Sequence, residues 1–112
     1  MAVTNKKLVE GSQLTTSAAT YYTAPANTTT ILKKVTVTNT TAGAVSLTMY
    51  LVPSGGSAGN ANMITDAKAI AAGATYEVYE AENHVLMTGD FLQALASAGA
   101  SLTLQASGIE VV

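Results

Sequence analysis

The side chains best suited to chemistry in this chain of 112 residues are one histidine, seven acids, five lysines and five tyrosines. His84 is the single imidazole. Catalysis or metal ligation there needs a partner nucleophile or a second ligand at a recognisable spacing, and no such motif surrounds it. Asn83-His84 reads as a polar loop between two strands. Glu77, Glu80, Glu82 and Asp90 lie close in sequence, and paired carboxylates can bind calcium or hydrolyse glycosides. Their spacing matches no calcium loop, and Glu77 alternates onto a solvent face. They read as a solvated edge whose charge discourages sheet-to-sheet aggregation. The serines form no strained nucleophile elbow. The expectation is a non-enzymatic protein with no catalytic residue, cofactor or metal site. Tyr21, Tyr22, Tyr50 and Tyr79 are the candidate interface residues. Tyr50 and Tyr79 fall on otherwise polar strand faces, and tyrosine is favoured where one end of a side chain is buried and the other wet.

These groups must be positioned by one small domain. Hydrophobic residues make up 48% of the chain, but twenty of them are alanine, with one Phe and no Trp. Large apolar side chains dominate core energetics, so the core is expected to be thin and to gain stability by association, as a homo-oligomer or by docking on a larger assembly. The net charge of −2 comes without a single arginine. Lys6-Lys7 and Lys33-Lys34 are the basic pairs. Nucleic-acid binding is not expected, because groove and phosphate recognition lean on clustered basic residues. With no cysteine, neither a disulfide framework nor a thiolate metal site can form. The first ten residues lack the apolar stretch of a signal peptide, and no run approaches a membrane span. Synthesis in a cytoplasm and no membrane partner are the expectations. Asn27-Thr28-Thr29 and Asn39-Thr40-Thr41 match the glycosylation pattern, which is idle without secretion.

Period-two alternation organises most of the chain. Residues 1–12 lack period and read as a flexible arm, leaving residues 13–112 as the domain. Leu14 to Tyr22 holds one or two short strands, followed by a Pro25 turn. Thr30 to Asn39 sets Ile31, Val35 and Val37 on one face, with Lys33 snorkelling near a strand end. Val45 to Val52 follows, and Pro53 stops it. Ser54 to Asn62 is a low-complexity loop. Met63 to Ala72 fits a helical spacing and equally a short strand over Lys68 to Ile70. Thr75 to Glu80, Val85 to Met87, Phe91 to Ala96 and Leu102 to Val112 complete the set. Two near-copies of one phrase, Ala42-Gly43-Ala44 and Ala98-Gly99-Ala100, each precede an alternating run and read as hairpin turns at equivalent places. In the last strand Ile109 and Val111 switch parity relative to Leu102 and Leu104, which predicts a bulge or bend at Ser107-Gly108. The fold class is all-β: a small antiparallel β-sandwich, jelly-roll or Ig-like, of seven to eight short strands.

Several phrases carry a family resemblance. Tyr22-Thr23-Ala24-Pro25-Ala26-Asn27 leads through Ile31 to Val35-Thr36-Val37-Thr38-Asn39-Thr40. Leu51-Val52-Pro53-Ser54-Gly55-Gly56, Ala71-Ala72-Gly73-Ala74-Thr75-Tyr76, Gly89-Asp90-Phe91-Leu92-Gln93-Ala94 and Ser107-Gly108-Ile109-Glu110 come after it in order. From Thr20 to Val112 the chain resembles small virion structural proteins of tailed bacteriophages. The resemblance implies a non-enzymatic β-sandwich built into the virion and leaves its place there open, since capsid decoration, collar, tail and fibre all use such modules. Taken with the thin core, the expectation is a capsid decoration or cement protein packed on major capsid or tail proteins. The alternative is a tail, collar or fibre component, with receptor or glycan binding suggested by the exposed tyrosines and the Ser54–Asn62 loop.

Overall fold

Strands form where alternation lets one face be buried. In the computed structural model, which describes residues 2–112, this happens nine times. The strands are β1 (Val3–Gln13), β2 (Ala19–Thr23), β3 (Thr29–Asn39), β4 (Val45–Val52) and β5 (Met63–Ile70), then β6 (Thr75–Glu77), β7 (Val85–Leu86), β8 (Phe91–Ala96) and β9 (Leu102–Val111). They form two antiparallel sheets. One runs β1-β9-β3-β6, with β7 also on β3; the other runs β2-β8-β4-β5. Most connections cross from one sheet to the other, and only β4–β5 and β6–β7 stay within a sheet. That order is a jelly roll, which decides between the two sandwich types expected.

The four central strands bury one face each. Leu32, Val35 and Val37 of β3 and Leu102, Leu104 and Ala106 of β9 meet Leu47 and Met49 of β4 and Leu92, Ala94 and Ala96 of β8. The alanines belong to the core itself, so part of the layer between the sheets is filled by methyl groups. Val52 is fully buried for another reason: the turn after Pro53 folds back, and Gly56 lies close to its Cγ1.

Several expectations change. Met1 lies outside the described residues; the rest of the expected arm is mostly β1, paired with β9 along its length. Its period was hidden by register shifts at Lys7/Val9 and Glu10/Ser12, each of which flips the faces of the residues after it. Met63 to Ile70 is a strand and not a helix. It carries two register shifts, one of them around Ala67 at φ 47°, and these scrambled its alternation. The two Ala-Gly-Ala phrases are not hairpins. Each carries the chain between sheets, β3 to β4 and β8 to β9. They do lie side by side at one end, where Ser97 N donates to Ser46 O at 3.0 Å and Thr40 N to Ser101 O at 2.9 Å.

The bulge expected at Ser107-Gly108 is absent from β9. The extra residues sit in its partners, Leu8 in β1 and Lys33 in β3. Consequently β9 keeps its parity: Gly108 and Glu110 point inward, and Ile109 and Val111 point outward, half-buried. Lys33 is therefore an exposed mid-strand bulge residue, not a strand-end side chain on the apolar face.

Candidate interaction surfaces

Because β9 holds its parity, a carboxylate enters the space between the sheets. Glu110 is only 8% exposed. Lys6 Nζ lies 3.3 Å from its Oε1, and the Tyr22 hydroxyl donates to its Oε2 at 2.6 Å. Thr30 Oγ1 sits 2.7 Å from the same hydroxyl. Tyr22 belongs to one sheet and Glu110 to the other, so this charge-assisted bond ties the layers together. Burial, and then the bond to Glu110, push the Tyr22 hydroxyl up to about 12. The folded state therefore holds a proton that the unfolded chain releases near pH 10, and stability falls as pH rises from about 10 to about 12. In Tyr22→Phe that loss is expected to shrink, measured as the change in urea midpoint across this window. An unchanged slope would show that the bond does not couple to folding.

The four tyrosines proposed for contact do not share one environment. Tyr22 is occupied inside the sandwich. Tyr21 lies beside it, half-buried, its hydroxyl accepting from Thr15 N at 3.4 Å. Tyr50 points outward from β4, half-buried. Tyr79 is 66% exposed and stands edge-on to Tyr76, ring centres 6.5 Å apart. Tyr76 donates to Glu80 at 2.7 Å, and burial followed by that bond raises its hydroxyl to about 12.

The acids that looked like a cluster are dispersed into local bonds. Glu80 also accepts from Thr65 at 2.9 Å. Glu82 Oε2 lies 3.3 Å from Val35 N. Asp90 accepts from Ser54 N and Met87 N at 2.9 and 3.0 Å. Glu77 pairs with Lys34 at 3.3 Å. Among the described residues no three potential ligands gather to hold a metal. His84 is exposed and borders an open cleft of about 340 Å³ between the β4–β5 hairpin and β7.

The outer edges and one outer face remain. Each edge is blunted in a manner that opposes strand addition. β1 has two register shifts and carries Lys6, Lys7 and Glu10; β5 has two shifts and carries Asp66 and Lys68. β2 is five residues long and bulged. The opposite edge is broken into β6 and β7, and between them Glu82 occupies the Val35 N–H.

The outer face of the β1-β9-β3-β6 sheet is banded, because residues paired across strands point the same way. Val3 and Val111 share one row. Asn5, Ile109, Ile31 and Val85 form the next. Lys7, Ser107 and Lys34 make a basic row, with bulged Lys33 beside it. Glu10, Gln105, Thr36 and Glu77 make an acidic row. Gln13, Thr103, Thr38 and Thr75 close the face with a polar row. Near the apolar end Val3, Val85, Met87 and Val112 are each at least half exposed. Sequence reading missed this face: the nearest signal was the parity switch of Ile109 and Val111, taken there as inward.

No family model matches the chain, and no curated protein matches it. Among solved structures, a subunit of the Bacillus endospore appendages, a family of disulfide-linked pili, has a TM-score of 0.60 at 13% identity. The match covers 98% of this chain and 88% of that one. The likeness is one of fold. The infectious bursal disease virus Gx strain structure reaches a TM-score of 0.48 at 18% identity, over 97% of this chain and 30% of the viral chain. The VP2 subviral particle of that virus reaches 0.46 at 14%, over 97% and 32%.

Proposed function

We propose that this chain is a non-enzymatic structural subunit of a virion, a capsid decoration or cement protein of a tailed phage. The observation that carries the reading is the contrast between blunted sheet edges and one broad, banded sheet face with an exposed apolar end. A protein that avoids strand addition yet exposes such a face is suited to packing on neighbours. The small-residue core is consistent with stability drawn from an assembly, and the phrases from Thr20 to Val112 supply the phage setting. Major capsid or tail subunits are then the partners, and the particle surface is the location. Tyr50 and Tyr79, the more outward of the four tyrosines, are offered as contact residues.

A second reading is a subunit of a surface filament. It is supported by the appendage fold matching over nearly the full length of both chains. The chain has no cysteine, so a filament built from it would hold together without disulfides.

The test is peptide mass spectrometry and cryo-microscopy of purified particles from the source. The decoration reading expects this chain in a fixed ratio to the major capsid subunit, with density on the outside of the shell. A chain absent from particles overturns it, and one found in extended filaments favours the second reading.

A further inference from the structure

The bands on the outer face of the β1-β9-β3-β6 sheet are arranged in an order that complements itself. Basic and acidic rows are adjacent near the middle; the apolar row Ile109–Ile31–Val85 lies beyond the basic one, and the threonine row beyond the acidic one. We propose that two copies of this chain stack by these faces, end over end. The twofold axis lies in the face, across the strands, between the rows of Lys7 and Glu10. This deepens the assembly reading above, on which it rests, by naming a second copy as one of the neighbours.

The geometry is dictated by symmetry. A rotation about that axis keeps each strand opposite its own copy and reverses the order of the rows. Lys7 then faces Glu10 of the second copy, and Glu10 faces Lys7 of the second copy. On the β6–β7 side, Lys33 reaches from β3 toward Asn83 at 3.3 Å, which brings its ammonium over the Lys34–Glu77 pair of the second copy. Ile109 and Ile31 cover Thr103 and Thr38 of the second copy, burying aliphatic surface against threonine methyls. Such a contact is isologous and closes at two copies.

Charge selects this stacking over the alternative. A twofold axis parallel to the strands lays each row on its own copy with the strand order reversed, so that Glu10 meets Glu77 and the basic rows overlie one another, which is repulsive. Within one copy Lys7 makes no ion pair among the described residues, and Lys33 reaches only the Asn83 side chain. Both cations are therefore available to a second copy. Blunted edges leave a face as the route to association.

The test is sedimentation velocity of the full chain over a range of concentrations, at about 20 mM and about 500 mM salt, where screening lengths differ several-fold. The expected result is a monomer–dimer equilibrium that weakens at high salt. Lys7→Glu and Glu10→Lys should each raise the dissociation constant at least tenfold, and the double variant Lys7→Glu/Glu10→Lys should return it to within a few-fold of the parent. Both side chains are exposed, and matching circular-dichroism melts will confirm that the variants fold. A parent that stays monomeric at low salt overturns the proposal. So does a dimer indifferent to both charge reversals but abolished by Val85→Glu, which would place the contact on the apolar end alone. A monomer that is nonetheless abundant in particles sinks the twofold contact and leaves the assembly reading standing; a dimer absent from particles does the reverse.

Discussion

Gly108→Ala is expected to destabilise the protein by about 3–5 kcal/mol, above the usual loss for a single substitution. Gly108 faces inward on the central strand β9, between the extra residues of its two partners. A Cβ there would overlap the Ile31 carbonyl oxygen and approach Leu8 Cδ1 to 2.8 Å. The side chain of Leu8 could turn away, but the Ile31 carbonyl belongs to the backbone of β3 and can move only by opening the ladder. The control is Gly99→Ala. Nothing lies within 4 Å of a Cβ at Gly99, and removing a glycine from a compatible position lowers the entropy of the unfolded chain by the equivalent of about 0.4–1 kcal/mol. Chemical denaturation should show a large loss for the first variant and none, or a small gain, for the second. Equal midpoints would mean that the close approach at Gly108 is relieved at no cost.

The second large effect concerns Asn39. Its side chain is fully buried at the end of β3. Nδ2 donates to Gly43 O at 2.8 Å and Ile70 O at 2.9 Å, while Oδ1 accepts from Thr41 N at 2.9 Å and Thr41 Oγ1 at 2.7 Å. The Asn39 backbone adds bonds to Ala74 and Gly73. One residue thus holds together the β3–β4 crossing, the end of β5 and the β5–β6 turn. Asn39→Ala removes one buried and three part-buried hydrogen bonds at about 1 kcal/mol each, so a loss of about 3–4 kcal/mol is expected, a large part of a typical domain's stability of roughly 5–15 kcal/mol.

Asn39→Asp separates hydrogen bonding from volume. It keeps the acceptor for Thr41 but turns a carboxylate toward two carbonyl oxygens. Burial and those carbonyls raise the acid's folded pKa, so its deficit should be largest at neutral pH and should lessen as pH falls and the acid regains a proton to donate. Thermal melts at pH 7 and pH 5 measure this. A deficit that does not change with pH would mean that the site admits water.

Much of the architecture was legible in local pattern. Val45–Val52 and Phe91–Ala96 begin and end where their alternation does. The β class is set by such runs, and Pro53 and the glycine turns punctuate them for reasons internal to a few residues. Where alternation was interrupted, the sequence misled. Val3–Gln13 looked aperiodic because two register shifts reset its faces, and Met63–Ile70 looked partly helical for the same reason. The last strand misled in the opposite sense. Ile109 and Val111 are apolar, so a bulge that returned them to the core was the economical reading, yet the structure turns them outward and admits Glu110, which Lys6 and Tyr22 satisfy.

The candidate tyrosines show the same division. Their amphipathic character is plain from composition, but whether a hydroxyl is spent inside, as at Tyr22, or left to solvent, as at Tyr79, depends on which sheet lies opposite. By itself the sequence determined that this chain makes antiparallel strands with a core of small side chains, because side-chain period and turn chemistry act within a few residues. Only the tertiary structure decided the jelly-roll order, the inward path of Gly108 and Glu110, and the banding of charge across one face. These depend on register between segments as far apart as Lys7 and Ser107, and register is set by hydrogen bonds that form only once the strands lie side by side.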